Sequence, residues 1–411
     1  MKDALCRPEL LVVGLALQGS GFTRVMKALA AGLCQKYQVH WFGLGEMNGA
    51  VRTSQVPGVT LHYCPFKPHF PQTGTALRAL VSEIQPAIVL LLGQPLWLSP
   101  LLQVLRAARP SCRLVLYAPI EGTLANPDWL KPLALLDDCI LYTEHARQSV
   151  LALIAACPGN RRVSPMPKLH VLPHGIDTTM FRPMAVVGDA TCRREIRQNL
   201  FPHRPELVDG FLVLNANFPY PRKRLDLTIR GFAAFAAGAS SDVYLCLHQV
   251  RIDRYTRSQI ERLAREAGIA ERLLLNVLNP EGQAIADERL NLLYNACDIG
   301  LTTAMGEAWG LTSFEHGATG AAQIVPEHTS FVENWDGAAE FMPTSATQHL
   351  FYEYADMHTV EPTEVARALE RLYRNPALRR ARACAAFANA NAPRYRWGNV
   401  AQQLDRILVA P

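Results

Sequence analysis

DIGLTTAMGEAWGLTSFEHGATGAAQIVP (298–326) is the stretch on which the reading of this chain turns. It opens on an apolar run of strand length, DIGLTT (298–303), and closes on another, AQIVP (322–326). Between them stand two carboxylates, Glu307 and Glu315, eight positions apart, with a Gly-Leu-Thr-Ser turn (310–313) that reads as the start of a helix. Ser or Thr ahead of an apolar stretch is a helix N-cap signal. A helix start exposes unpaired N–H groups that suit a phosphate. Glu307 then lies on the loop ahead of those donors, and Glu315 about one turn into the helix. A bare Glu-x7-Glu equally describes a polar loop feeding an ordinary amphipathic helix, with Glu315 on its solvated face.

Strand, loop, helix, strand is also the pattern of the rest of the chain. The apolar runs LLVVGLAL (10–17), VHWFGL (39–44), VTLHYC (59–64), AIVLLLG (87–93), RLVLYAP (113–119), DCILYT (138–143) and KLHVLP (168–173) alternate with helical stretches such as RVMKALAAGLCQKY. That alternation argues for a parallel sheet covered on both faces. Several of the runs are continuously apolar, as strands buried on both faces should be. Residues 182–210 interrupt it with charge, Pro, Gly and a polar helix around CRREIRQNLF. A second series follows: FLVLNAN (211–217), VYLCLHQV (243–250), RLLLNVL (272–278), DIGLTT (298–303), AQIVP (322–326) and AEFMP (339–343). The fold class is therefore α/β, two doubly wound Rossmann-like domains joined near residue 182. A separate amphipathic helix, RYRWGNVAQQLDRIL, ends the chain.

The bulk composition allows this. A chain of 411 residues exceeds the size of one hydrophobic core. Its 49% hydrophobic and 19% charged residues are an ordinary globular balance with ample core material. No run of 18 apolar residues occurs, since ALVSEIQPAIVLLLG is broken by Glu83, Gln85 and Pro86. Charges at Lys2, Asp3, Arg7 and Glu9 argue against a signal peptide. The ten cysteines include no Cys-x-x-Cys pair, and Cys139, Cys246 and Cys297 sit in apolar runs. Buried, reduced thiols and a cytoplasmic location are the expectation. The net charge of +5 is uneven: residues 1–185 hold 17 Lys+Arg against 10 Asp+Glu, the remainder 24 against 26. The basic first half suits an anionic acceptor or peripheral contact with the inner membrane face, and equally a solvated surface with no partner. Nothing points to nucleic acid.

The segment from Tyr294 to Pro326 resembles the donor-binding signature of retaining GT-B glycosyltransferases of the family-4 (glycosyl transferase group 1) type. The matching positions are Tyr294, Ala296, Asp298, Glu307, Gly310, Glu315, Ala318 and Gly320; Gln323 departs from the small or apolar residue usual there. LPHGIDTTMFRP (172–183) resembles the family's hinge entry through Pro173, Gly175, Asp177, Phe181 and Pro183, with His174 in place of Asn. A satisfied turn histidine and a ligand contact both remain open for His174. NANFPYPRKRLDLTIRGF (215–232) resembles the segment whose basic pair holds the donor diphosphate, Lys223 aligning with the family lysine and Asp226 with its acidic position. The preceding Gly-Arg is absent, so Arg222 or Arg224 supplies the second charge. Read without the family, Arg-Lys-Arg is a solvated helix start, yet three cations at a helix N-terminus are unfavourable unless an anion sits among them.

The loop LQGSGFTRV (17–25) carries Gly19 and Gly21 but Arg24 where a third fingerprint glycine would stand, which argues against a nicotinamide dehydrogenase. In relatives this loop closes over donor phosphate or acceptor. LYAPIEGTLANPDW (116–129) lies where relatives place acceptor-facing residues, and Glu121 is the ionisable side chain of its turn. Glu144 and His145 equally suit a helix start and its face.

The resemblance implies a retaining glycosyltransferase that moves a sugar from a nucleotide-diphosphate donor, UDP- ahead of GDP-, to an acceptor small molecule or glycan. Its two domains would face each other across a cleft: residues 1–182 on the acceptor side, 183–390 binding the donor, and 391–411 crossing back to the first domain. Glu307, Lys223 and Arg222 are then the catalytic candidates. Glu315, Gly310, Leu311, Thr312, Gly19 and Gly21 hold the donor, and Glu121 and Arg24 face the acceptor. Neither a cofactor nor a metal is expected, since no Asp-x-Asp occurs in the chain. A nucleotide-sugar epimerase on the same fold and a non-catalytic nucleotide-binding relative are the alternatives.

Overall fold

The computed structural model describes residues 7–45, 55–157, 165–187, 190–349 and 354–410. Lys2 and Asp3 lie outside the described residues. The chain divides into two compact units. One comprises Met1–Gly175, Phe351–Ala355 and Trp397–Pro411; the other Ile176–Leu350 and Asp356–Arg396.

In the first unit the apolar runs form β1 (Glu9–Leu15), β2 (Gln38–Leu44), β3 (Val59–Cys64), β4 (Ile88–Leu92), β5 (Arg113–Ala118), the two-residue β6 (Thr123–Leu124), β7 (Asp138–Leu141) and β8 (Lys168–Val171). Seven of them make a parallel sheet in the order β3-β2-β1-β4-β5-β7-β8. Helices cover it through fully buried leucines such as Leu77, Leu98, Leu101 and Leu105. The last helix, Trp397–Val409, packs on the helix Gly21–Leu33. Gly32 lets them close, because a Cβ there would stand 2.4 Å from that of Ala401. Asp405 fixes the pair in register, accepting from Tyr37 Oη at 2.9 Å and pairing with Lys36.

The second unit repeats the plan. β9 (Phe211–Asn215), β10 (Val243–Leu247), β11 (Leu273–Leu275), β12 (Ile299–Leu301), β13 (Ala322–Pro326) and β14 (Glu340–Met342) form a parallel sheet ordered β11-β10-β9-β12-β13-β14. The polar helix expected around 192–201 is the helix Ala190–Leu200. An antiparallel pair, β15 (Thr344–His349) and β16 (Ala355–Val360), follows the sheet. Asp298 anchors the sheet's start, accepting from the Leu212 N–H at 2.9 Å and pairing with Arg197 at 2.7 Å and Arg193 at 3.0 Å. Cys139, Cys246 and Cys297 are buried thiols, and Cys34, Cys192 and Cys384 are thiols with some exposure, none of the six in a disulfide. Among the described residues no helix is long and apolar enough to cross a membrane.

Candidate active site

In each sheet the strand order reverses at one point. In the second unit it lies between β9 and β12, which pair through Ile299↔Val213 and Gly300↔Leu214. Ligands of open α/β sheets bind outside the carboxyl ends of the strands at such a point. The two loops that leave those strand ends carry Lys223 and Glu307.

Short hydrogen bonds lash these loops together. Thr303 Oγ1 lies 3.0 Å from the Lys223 carbonyl and 2.8 Å from that of Arg224. The Met305 N–H donates to the Arg222 carbonyl at 2.8 Å, and the Arg222 guanidinium donates to the Gly306 carbonyl at 2.7 Å. Lys223 is buried rather than solvated, and its ammonium pairs with Glu307 Oε2. Arg222 stands 3.7 Å from the same oxygen. Arg224 turns away: its backbone is left-handed, φ +47°, and its guanidinium grips Asp226 at 2.9 and 2.8 Å. The cation beside Lys223 is therefore Arg222. Glu307 and Asp226 also supply, within the protein, the negative charge that three clustered cations require.

Burial by itself would raise the Glu307 carboxyl. The charges of Lys223 and Arg222 and the Lys223 hydrogen bond outweigh it and hold the group below the usual carboxylate range. Glu307 is thus an ionised carboxylate in a buried setting, with its backbone carbonyl accepting from Ser330 Oγ.

The helix expected after Glu307 runs Leu311–Ala318, but neither Thr312 nor Ser313 caps it. The N-cap is Gly310, at φ +90°, where no side chain is tolerated easily and a Cβ would press to 3.0 Å on the Phe331 ring. The helical pattern starts with Ser313 and Phe314 donating to the Gly310 carbonyl. The amides of Leu311 and Thr312 precede it, as the donors of a helix start do.

Glu315 is not on a solvated face. It is buried and accepts from Tyr294 Oη at 3.1 Å. Tyr294 in turn stacks on His316, centroids 5.2 Å apart, and its carbonyl meets His316 Nε2 at 3.0 Å. Burial pushes His316 down to about 3, so it packs as a neutral ring. The unusual Gln323 has a local reason. It fills the space beside Gly300, where a Cβ would come within 2.2 Å of Gln323 Oε1 and 2.6 Å of His316 Nδ1.

Further polar residues share the same sheet edge. Asn215 and Asn217 tie β9 to the loops, through Thr228 at 3.0 Å and Thr302 at 3.0 Å. Just past β10, His248 Nε2 and Gln249 Oε1 are buried with no hydrogen-bond partner among the described residues, and burial lowers His248 to about 4. Unpaired buried polar atoms at a crevice are natural ligand contacts.

In the first unit the reversal falls between β1 and β4. Gly19, φ +78°, makes the turn after β1, and Gly21 opens the helix that carries half-buried Arg24. Thr23 Oγ1 closes the loop, accepting from the Leu17 N–H and donating to the Leu15 carbonyl, each at 3.0 Å. Glu121 is buried and accepts from Gln94 Nε2 at 2.7 Å; Gln94 follows β4 and was not distinguished in the sequence. His174 is a buried turn residue whose Nδ1 lies 2.7 Å from Tyr117 Oη. Glu144 begins a helix and pairs with Arg147. Among the described residues no group of three His, Cys, Asp or Glu is placed to hold a metal ion.

No protein-family profile and no curated protein sequence matches the chain. Solved structures do, over nearly its whole length. Sucrose-phosphate synthase from Thermosynechococcus elongatus is 16% identical, with 98% of each chain covered and a TM-score of 0.74. HepE from Anabaena, solved in complex with UDP and glucose, is 13% identical over 98% of this chain and 99% of that one, TM-score 0.71. An α,α-trehalose-phosphate synthase (UDP-forming) from Burkholderia vietnamiensis is 16% identical, with 98% of each chain covered and a TM-score of 0.70. The chain has the GT-B fold. At these identities the likeness establishes architecture; in this chain Lys223, Glu307 and Gly19 follow strands that flank the two strand-order reversals, and Glu121 follows β5, next to β4.

Proposed function

We propose that the chain is a retaining glycosyltransferase of the family-4 type, transferring a sugar from a nucleoside-diphosphate donor to an acceptor hydroxyl without a metal ion. The observation that carries this is the convergence of Lys223 and Arg222 on Glu307, on the loop that delivers the amide end of the helix Leu311–Ala318. Departure of a diphosphate from an anomeric carbon places growing negative charge on phosphate oxygens. Fixed cations and amide dipoles stabilise that charge. Lys223 and Arg222 supply the cations, with the Gly310, Leu311 and Thr312 amides beside them. When the donor binds, Lys223 exchanges the Glu307 carboxylate for phosphate, and Glu307 is released to the sugar hydroxyls. Glu315, oriented by Tyr294, takes the ribose diol. The acceptor attacks from the leaving-group side and passes its proton to a phosphate oxygen. Gly19 and Gly21 let the first loop approach the donor, while Arg24 and Glu121 serve the acceptor. UDP in the HepE complex and the UDP-forming trehalose-phosphate synthase favour uridine as the base.

Thermal-shift screening of UDP, GDP, ADP and dTDP, followed by a transfer assay with sugars on the selected base, tests the reading. A nucleotide at about 100 times its Kd adds roughly 2.7 kcal/mol of stability. No response to any of the four, or sugar isomerisation without an acceptor, would reject it.

Activity should survive a chelator, because Lys223, Arg222 and a helix start carry the phosphate charge. Transfer abolished by excess EDTA and restored by magnesium or manganese would refute the metal-free step. Glu315→Ala should chiefly weaken binding of the bare nucleoside diphosphate, whereas Glu307→Ala should impair sugar handling and leave that binding nearly intact. Calorimetry on both variants decides it, and equal losses would overturn the ribose and sugar assignments.

A further inference from the structure

The edge of the second sheet opposite these loops holds a cavity of about 400 Å3, bordered by Phe211 at the start of β9, Asp298 ahead of β12 and Gly320 ahead of β13. Roughly 17 Å of strand separates it from the loops of the candidate site, the five residues of β9 at about 3.3 Å each. Five arginines line it: Arg193, Arg194 and Arg197 from the helix Ala190–Leu200, and Arg379 and Arg380 from the helix Pro376–Ala390. Three aspartates, Asp209, Asp242 and Asp298, leave two positive charges unbalanced.

The pairing inside the cavity shows which cations are spoken for. Arg197 is committed to Asp298 and to the Ala296, Val208 and Gly210 carbonyls, and Arg194 to Asp209. Arg193 gives one nitrogen to Asp298, but its Nε is buried without a hydrogen-bond partner. No ion pair or hydrogen bond engages the exposed Arg380 side chain among the described residues. Arg379 lies 5.1 Å over the Phe211 ring and gives one nitrogen to the Leu372 and Tyr373 carbonyls at 2.8 and 3.2 Å, while its other two nitrogens make no hydrogen bond among the described residues. Burial lowers its hold on its proton; Asp298 opposes that, and Arg193 and Arg380 add to it. Like charges held together in one concavity repel unless an anion joins them, and guanidinium groups suit a phosphate in fork geometry. Phe211 and Tyr373, edge to face at 5.0 Å, give the same cavity an apolar wall. Its volume falls in the range of small-molecule sites, about 300–1,000 Å3.

We propose that this cavity is a second ligand site for a small organic phosphate, its phosphate held by Arg193, Arg379 and Arg380 and its carbon skeleton against Phe211 and Tyr373. The assignment does not depend on the proposed transfer reaction.

Calorimetry on the full chain with glucose 6-phosphate, glucose and inorganic phosphate tests it, alongside Arg380→Glu and a control, Arg265→Glu. Both arginines are exposed helix residues, so both variants should fold. Glucose 6-phosphate should bind saturably and more tightly than inorganic phosphate, with glucose silent. Arg380→Glu should weaken it at least about tenfold, the loss of one charge-assisted contact of about 1.5–3 kcal/mol, and Arg265→Glu should leave it unchanged. Unaltered affinity in Arg380→Glu, or an equal loss in Arg265→Glu, overturns the site. Inorganic phosphate binding as tightly as the sugar phosphate overturns the assignment of an organic ligand.

Discussion

Lys223→Ala should lower turnover about 100- to 1,000-fold, the usual effect of deleting one donor to charge that grows in a transition state. The expectation rests on burial and position. Lys223 is enclosed with Glu307 at the strand-order reversal of the second sheet, whereas Arg224, one residue on, is spent on Asp226. Arg224→Ala should accordingly leave turnover within a few-fold of the parent. Removing Lys223 also strips Glu307 of its nearer counter-charge, so steady-state kinetics should be read beside a thermal midpoint. Near-normal turnover in folded Lys223→Ala would take the residue out of the mechanism and leave Arg222 as the candidate.

The largest loss of stability should come from Asp298→Ala. Its carboxylate receives Arg197, Arg193 and the Leu212 N–H, and Arg197 is itself buried. Deleting one member of a buried ion pair costs about 3–5 kcal/mol, because the other charge is left uncompensated. Denaturant midpoints measure it, and a change under about 1 kcal/mol would show the network to be ornamental. The same residue sets an acid limit. Burial acts to raise the Asp298 carboxyl, but Arg197 and Arg193 outweigh it and its pKa is lowered. The contribution is therefore full above the unfolded value of about 3.9, and it fades as pH falls through the lower folded value. The parent protein should lose stability below about pH 4 more steeply than Asp298→Asn.

Much of the architecture could be read because each buried strand is a nearly unbroken apolar run, and LLVVGL, IVLLL and FLVLN name their own layer. The order of the strands could not. Nothing in FLVLN or DIGL says that β9 and β12 lie side by side, and that adjacency is what creates the crevice. The residue types at the candidate site were legible from Glu307, Glu315 and the Arg-Lys-Arg cluster. Their partners were not, since Lys223 and Glu307 are 84 residues apart and Tyr294 and Glu315 are 21 apart. Which arginine accompanies Lys223 was decided by one left-handed residue, Arg224, which turns its own side chain back toward Asp226. The helix start was placed correctly for a mistaken reason: Thr and Ser suggested a cap, but a glycine at positive φ provides it. Gln94, His248 and Gln249 gave no signal, because a carboxamide or an imidazole at a strand end looks like any polar turn.

The seating of the last helix on the first has a temporal consequence. Lys36 finds Asp405 only after the chain has grown by 369 residues, and Tyr37 with Asp405 and Gly32 with Ala401 wait as long. At ribosomal speeds of about 5–20 residues/s, the apolar stripe around Val25 and Leu29 waits on the order of tens of seconds for the helix Trp397–Val409. A chain stopped between the two helices leaves the ribosome with that surface uncovered.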